Sequence, residues 1–383
     1  MASSSAPPNV TSDPAQGQRS IQLHGWTITT TKLPILSIPQ ADQTSADLDL
    51  ALPEIVFGNN QLLLRHEESN FQIKWDMKDM LAAVKKGEGW DAQPGAGAVT
   101  VKHADEWKRG QTASTSSTAS LIVHKPYDWT YTTLHAGSYT CSSLSSASPA
   151  SEPSQPPPFA PAPPAHPGIP LAQLARTDIP IFFFDEVPLF EDELGDNGIA
   201  DATVRVRVNS TSFYVLARFF LRIDGVLFRL YDVRLFHAFN SGEIIRQTKG
   251  REAPYSLLRE RLLGPRRSPG LSPSTTPAAG RSASPLVALP NRTPYALTPP
   301  RSPAQAHGVD AAATAGEDLT QLNDINWVAG VLDELALAEE MGGVGLGARE
   351  APRGEQDAWE GLGVRLEVMR VPWASEGERG QPQ

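Results

Sequence analysis

The chain has 383 residues, and its formal net charge of −10 argues against a nucleic-acid partner, because neutralising phosphates requires a basic protein surface. The single cysteine, Cys141, excludes an intramolecular disulfide and a zinc site made of several thiolates. Because no stretch approaches 18 apolar residues, the sequence predicts no membrane span.

Polar segments rich in Ser, Pro or Gly divide the chain. Residues 138–168 hold 9 Pro and 8 Ser, and residues 264–316 hold 10 Pro. Such segments bury too little apolar surface to offset the chain entropy lost on folding. We therefore expect disorder at 1–19, 138–168, 264–316 and 346–383, one β-rich domain at 20–263, and a docked helix within 317–345.

The two ends of the chain allow two further expectations. The first 20 residues have no apolar run and no basic lead, so they are not a signal peptide. We expect the chain in the cytoplasm, with the nucleus as a further compartment. In the C-terminal tail, a weak alternation at 364–371 leaves an edge strand open as an alternative to disorder.

Short strands are predicted for the first half of the domain, because β-branched and aromatic residues recur between turn residues. They are expected at 21–32, 61–66, 71–75, 99–102, 121–124 and 127–133. In the last strand Tyr127, Trp129 and Tyr131 would share one face, for which core packing is favoured over an exposed ligand-binding stripe. Strict alternation at 204–208 predicts a further half-buried strand.

A hairpin is predicted around Asp224-Gly225, which lies between two apolar runs, because glycine tolerates the positive φ of a two-residue turn. The expected pairs are Ile223 with Val226, Leu221 with Phe228, and Phe219 with Leu230. These six residues would form one apolar face, and a slip by one residue would mix the two faces.

Two helices are predicted. The first runs from Asp76 to Lys86, with Asp76 as its N-cap and apolar residues at helical spacing. The second runs from about Asp324 to Met341, and its single apolar stripe implies docking on the sheet. Antiparallel strands with segregated helices indicate the α+β class, with a mainly antiparallel β-sheet core and a few short helices.

The most acidic segment spans residues 185–196. It suits a divalent-ion or acid–base site, a docking patch for a partner, or pairing with the arginines of 204–234, and pairing is the favoured interpretation. The sequence contains no nucleophile elbow, P-loop, dinucleotide fingerprint or zinc-protease motif. Neither an enzyme nor a cofactor is therefore predicted.

Seven Ser/Thr-Pro pairs lie in the 264–316 segment. Proline-directed kinases need such pairs in an extended and accessible chain. Regulation by phosphorylation and chance occurrence in a Pro-rich linker both remain open. The pairs begin at Ser268, Ser272, Thr276, Ser284, Thr293, Thr298 and Ser302.

Four motifs occur in one order along the chain: LPEIVFGNN at 52–60, KPYDWTYTT at 125–133, FFDEVPLFEDEL at 183–194 and RFFLRIDGV at 218–226. Together they resemble the TIPRL-like family of TOR-signalling regulators. The resemblance implies a mainly antiparallel β fold and a non-enzymatic protein that binds the catalytic subunit of type 2A Ser/Thr protein phosphatases. It also implies association with the alpha-four-type TOR effector. In yeast-like fungi this association opposes the effector and so acts in nutrient signalling.

The same resemblance implies five partner-contacting residues. Leu230, Asp232 and Arg234 follow the Asp-Gly turn at the spacing of the family's phosphatase contacts. Asp79 matches an acidic contact on the first helix, and Ile169 matches a contact beside the 138–168 insertion. Structural roles stay open for most of them. The carboxylate of Asp79 would also interact favourably with the dipole of its helix. Asp232 and Arg234 could form an ion pair within the sheet, and Leu230 could be a core residue.

Two other functions remain open from the sequence. One is a divalent-ion-dependent enzyme that uses the acidic cluster at 185–196. The other is a general scaffold of the TOR pathway whose affinity resides in the polar linkers.

Overall fold

The computed structural model of the chain describes residues 8–84, 127–140, 159–264, 318–340 and 364–371. The strands predicted at 99–102 and 121–124 and the seven Ser/Thr-Pro pairs lie outside these residues.

Two antiparallel sheets pack against each other. The first has the strand order β1-β2-β3-β5-β6-β7 and the second has the order β4-β9-β10-β11-β12-β13-β14-β8. The first sheet consists of β1 (Asn9–Asp13), β2 (Gln18–Leu23), β3 (Trp26–Thr31), β5 (Gln61–His66), β6 (Phe71–Asp76) and β7 (Ser138–Thr140). The second consists of β4 (Ile55–Val56), β8 (Ala160–Pro161), β9 (Ile181–Asp192), β10 (Gly198–Asn209), β11 (Ser212–Ile223), β12 (Leu227–Ala238), β13 (Glu243–Pro254) and β14 (Arg365–Arg370).

The helices are short and lie outside the sheets. They are α1 (Ile38–Leu48), α2 (Met77–Ala82), α3 (Leu171–Leu174), α4 (Tyr255–Leu263) and α5 (Ile325–Glu340). The α+β prediction is thus confirmed. Within the described residues, none of these helices has the length and apolar character needed to cross a membrane.

The eight-stranded sheet is buried on both of its faces. Its inner face meets the first sheet in the main core, where the rings of Trp26 and Phe213 lie 4.9 Å apart. Its outer face packs Phe228 and Leu230 against α5, which contributes Val328 and Leu332. Apolar residues on both sides of one sheet let helices dock without a separate domain.

Both predicted helices form, with one difference in length. The carboxylate of Asp324 accepts from the backbone N–H of Asn326 at 2.9 Å, and α5 follows as predicted. Asp76 caps α2 in the same way, but α2 ends at Ala82 rather than at residue 86. The chain turns extended there because Val84 forms a β-bridge with Thr133.

The predicted register of the β11–β12 hairpin is wrong by one residue. The turn contains residues 224–226, and Ile223 pairs with Leu227 instead of Val226. The other two pairs that replace the predicted ones are Leu221 with Arg229 and Phe219 with Tyr231. Both faces of these strands are buried, so alternation of apolar residues cannot distinguish the two registers.

Three segments with a composition typical of disorder contribute strands. Residues 1–19 contain β1, residues 138–168 contain β7 and β8, and residues 346–383 contain β14. Each strand pairs with a neighbour, so the backbone polar groups on its paired side are satisfied even where few side chains are buried. In β14 the buried side chain of Met369 adds apolar contact with the main core.

The predicted strand at 127–133 is instead a turn, in which Tyr131 has a φ of 55°. The backbone N–H of Tyr131 bonds to the carbonyl of Asp128 at 2.9 Å, which closes the turn. Core packing of the aromatic residues is nevertheless confirmed, because Tyr127 and Tyr131 are buried in the main core and Trp129 packs against it.

Candidate partner-binding surface

Asp232 lies on β12 at the centre of an ionic cluster on the outer face of the second sheet. Its side chain is 0% exposed. It accepts hydrogen bonds from Arg218 Nε at 2.7 Å and Nη2 at 3.0 Å, from Arg251 Nη2 at 2.6 Å, and from Arg234 Nη2 at 3.2 Å. Burial alone would raise the pKa of the Asp232 carboxyl, but the bonds from Arg218 and the three positive charges outweigh it and lower the pKa.

Helix α5 closes this cluster from above. Arg251 Nη1 lies 2.9 Å from Asp333 on α5, and Lys249 Nζ lies 2.8 Å from the same carboxylate. Beside the cluster, Leu230 is 0% exposed beneath the apolar side of α5. A direct contact of Leu230 or Asp232 with a partner would therefore require α5 to leave the sheet.

Among the three arginines around Asp232, Arg234 is the most exposed, with 21% of its side chain accessible, against 9% for Arg218 and 3% for Arg251. Neighbouring strands place Arg207 and Tyr214 on the same face of the sheet, since Arg207 pairs with Tyr214 across β10 and β11. Arg207 Nη2 donates to the carbonyl of Leu174 in α3 at 2.7 Å. We call Arg207, Tyr214 and Arg234 the outer-face strip.

Ile169 lies at the edge of the outer-face strip and is mostly buried. It packs with Phe236 and Ile245 of the second sheet, and Tyr214 and Leu174 pack against the same cluster. The apolar cluster of Ile169 thus borders the outer-face strip, because Tyr214 belongs to the strip and packs against the cluster. An apolar contact bordered by charged side chains is the usual composition of a protein-binding site.

The outer face carries an excess of positive charge. Around Asp232 the described structure places Arg218, Arg234, Arg251 and Lys249, which face only the carboxylates of Asp232 and Asp333. Four cations against two anions leave a positive potential at the exposed end of the cluster. Such a potential attracts an acidic surface of a partner.

Asp79 lies in α2, beside the first sheet, and is not brought together with the other four predicted contacts. It lies in the first turn of α2 with 31% of its side chain exposed. Ser138 Oγ donates to it at 2.6 Å and Lys74 Nζ lies 3.1 Å away. Burial raises the pKa of the Asp79 carboxyl, but these two partners outweigh burial and lower it.

The acidic segment at 185–196 is divided between structural roles. Glu186 pairs with Arg205 at 2.9 Å, as the favoured interpretation predicts. Asp185 instead pairs with Lys32, just after β3, at 2.6 Å and with Arg19 of β2 at 3.2 Å. Within the described ranges, no group of three or more His, Cys, Asp or Glu side chains is placed to hold a metal ion.

Sequence reasoning missed Arg251 and Asp333. A carboxylate as deeply buried as Asp232 needs cationic partners, and this requirement is the signal that would have pointed to Arg251. The sequence nevertheless does not place Arg251 beside Asp232, because β13, which carries Arg251, is not among the predicted strands. Asp333 lies outside the apolar stripe of its helix, so hydrophobic spacing does not single it out.

The geometry can be set beside known proteins. The model of the TIP41-like family matches residues 55–259, more than half of the chain, and all five predicted contact residues fall in this range. This chain belongs to the TIP41-like family. The resemblance inferred from the four motifs is thereby confirmed.

Relatives of this TIP41-like chain come from distant organisms. The TIP41-like protein of Arabidopsis thaliana is 36% identical over 246 residues, which cover 63% of this chain and 80% of the relative. The TIP41-like protein of Homo sapiens is 35% identical over 234 residues, which cover 61% and 76%. The relative from Saccharomyces cerevisiae, 32% identical over 256 residues that cover 63% and 65%, is named Type 2A phosphatase activator TIP41.

Proposed function

We propose that this chain is a non-enzymatic regulator that binds the catalytic subunit of type 2A Ser/Thr protein phosphatases. The observation that carries the proposal is membership of the TIP41-like family together with the name of the Saccharomyces cerevisiae relative, a type 2A phosphatase activator. The proposal includes action in TOR signalling and association with the alpha-four-type effector, in the cytoplasm and the nucleus.

The proposed docking surface consists of the outer-face strip and the apolar cluster of Ile169 beside it. Arg234 and Arg207 supply the positive charge, while Ile169 and its neighbours supply the apolar part. Asp79 is proposed as a second, separate contact because its carboxylate is partly exposed and its partners are a serine and a lysine. Leu230 and Asp232 would then act from beneath, by fixing the strand that presents Arg234.

The decisive experiment measures binding of a purified type 2A catalytic subunit to the full chain and to Arg234→Gln. Removing this charge from the strip should weaken binding by roughly tenfold, with a larger loss at low salt, because the contact is electrostatic. Arg261→Gln is the matched control, since Arg261 is 60% exposed on α4 and pairs with Glu334. Equal binding by wild type and Arg234→Gln would place the contact elsewhere, and no binding by folded wild type would reject the proposal.

Among the described residues, no feature favours a divalent-ion-dependent enzyme or a general scaffold. Asp185, Glu186 and Asp192 of the acidic segment are engaged in ion pairs or backbone hydrogen bonds. Asp192, for example, accepts from the backbone N–H groups of Leu194 at 2.6 Å and Glu54 at 3.0 Å.

A further inference from the structure

Strand β14 covers one edge of the second sheet, although it comes from far along the chain. It pairs with β13 over six positions, from Thr248 with Arg365 to Glu243 with Arg370. The opposite edge of β13 is paired with β12. Residues 341–364 separate β14 from the end of α5.

The stretch 159–170, which we call the Ile169 segment, is tied to the sheet through β14. Its strand β8 pairs with β14, Ala160 opposite Val368 and Pro161 opposite Glu367. The backbone N–H of Ala162 then donates to the carbonyl of Leu366 at 2.9 Å. In the described part of the chain, these main-chain bonds between the Ile169 segment and the sheet all end on β14.

Side chains of β14 join the same assembly. Leu366 packs against the cluster of Ile169, Phe236 and Ile245, whereas Met369, on the other side of β14, enters the main core with 3% of its surface exposed. A strand that inserts side chains from its two faces into two apolar clusters behaves as a bound peptide, with main-chain bonds for affinity and pockets for specificity.

Arg246 connects β13, on which it lies, with both β14 and the Ile169 segment. Its Nε donates to Glu367 of β14 at 2.8 Å, and its guanidinium lies 4.0 Å from the ring centre of Phe159 in the Ile169 segment. Links that bypass β14 are side-chain contacts, such as His166 Nε2 to Glu243 Oε1 at 3.0 Å. Loss of β14 would therefore leave the Ile169 segment without its main-chain support.

We propose that the edge of β13 is a strand-binding groove, that residues 364–371 are its occupant within the same chain, and that this occupancy sets the position of Ile169. The groove fits an extended peptide with apolar side chains at the positions of Leu366 and Met369. Tethering gives the chain's own strand a high effective concentration, so a separate peptide competes only when that strand is weakened. The groove and its occupant are independent of the proposed phosphatase binding, and so is the test below.

The test uses the full chain with Glu367→Pro. Val371 donates its backbone N–H to the carbonyl of Gly242, and alternate residues of a strand point to the same side, so the N–H of Glu367 also points toward β13 and proline removes a bond between β14 and the groove. Hydrogen exchange should become faster by about tenfold or more at 365–371 and throughout the Ile169 segment, while β10 and β11 keep wild-type protection. Val364→Pro, just outside the strand and half exposed, is the matched control and should change nothing. Leu366→Ala serves as a milder variant with a smaller increase confined to the same residues.

A synthetic peptide of residues 363–373 supplies the second part of the test. Added to the Glu367→Pro chain, it should restore protection of the Ile169 segment, whereas the same peptide with Leu366→Asp and Met369→Asp should not. Fast exchange at 365–371 with an unchanged Ile169 segment in both variants would overturn the positioning role. Failure of the unmodified peptide to restore protection would overturn the groove.

Discussion

Asp79 and Asp232 are two carboxylates to which the family resemblance gives one role, yet their surroundings are opposite. Asp232 is 0% exposed and is held by three arginines, whereas Asp79 is 31% exposed and is held by a serine and a lysine. A buried carboxylate that loses its charge leaves several desolvated cations unpaired, but a half-exposed carboxylate exchanges its partners for water or for another protein. A residue that matches a family contact position can therefore either touch the partner or hold in place, from inside the fold, a neighbour that does.

The largest expected effect is on the stability of Asp232→Asn. The substitution removes the negative charge from among Arg218, Arg234 and Arg251 and should lower the free energy of unfolding by about 3–5 kcal/mol, measured by urea denaturation. Asp178→Asn, at an exposed carboxylate paired with Arg176, should leave the urea midpoint unchanged. A stable Asp232→Asn chain that no longer binds the phosphatase would instead make Asp232 a direct contact and remove the contrast with Asp79.

Acid titration of stability sharpens the same contrast. Burial raises the pKa of Asp232, but its arginines outweigh burial and hold the pKa below 3.8. The stabilisation is therefore complete above pH 3.8 and is lost as the pH falls below it, so wild type and Asp232→Asn should converge at low pH. Burial lowers the pKa of His237 from 6.5 to about 4, and the resulting loss of stability between these pH values should be common to both chains. A constant difference between the two curves down to pH 2 would show that the charge of Asp232 is not what stabilises the fold.

The smallest stability effect is expected for Asp79→Asn. Its ion pair with Lys74 is partly exposed, so the free energy of unfolding should fall by less than about 1 kcal/mol. Binding of the type 2A catalytic subunit should nevertheless weaken, as a pull-down with the full chain would show. Asp47→Asn, at a carboxylate that is 48% exposed beside Lys78, is the control and should keep full binding. Unchanged binding by Asp79→Asn would leave Asp79 with a structural role only.

The sequence was sufficient for some strands that bury one face, although the single strand predicted at 21–32 is wrong, because a turn at His24 and Gly25 divides it into β2 and β3. Strand β5 has the bounds 61–66 that were predicted, and β10 alternates buried and half-buried residues through 204–208. The hairpin register failed because both faces of β11 and β12 are buried. Helix α1 was not predicted because it buries only Thr44 and so has no apolar stripe.

The candidate site was harder to predict because burial at Asp232 is created by distant parts of the chain. Arg251 comes from β13, and Asp333 comes from α5 beyond the 264–316 segment. Spacing after the Asp-Gly turn singles out Leu230, Asp232 and Arg234, but it does not distinguish a contact from a structural role. Whether one of these residues faces solvent depends on α5, whose docking is visible in the sequence but whose place on the sheet is not.

The rings of Tyr139 on β7 and Phe159 beside β8 lie 6.3 Å apart, which brings together the two ends of the stretch 141–158. Those ends are held by strands of different sheets, whatever lies between them. Because these strands already hold the two ends close together, a change in the number of residues between them need not move either strand.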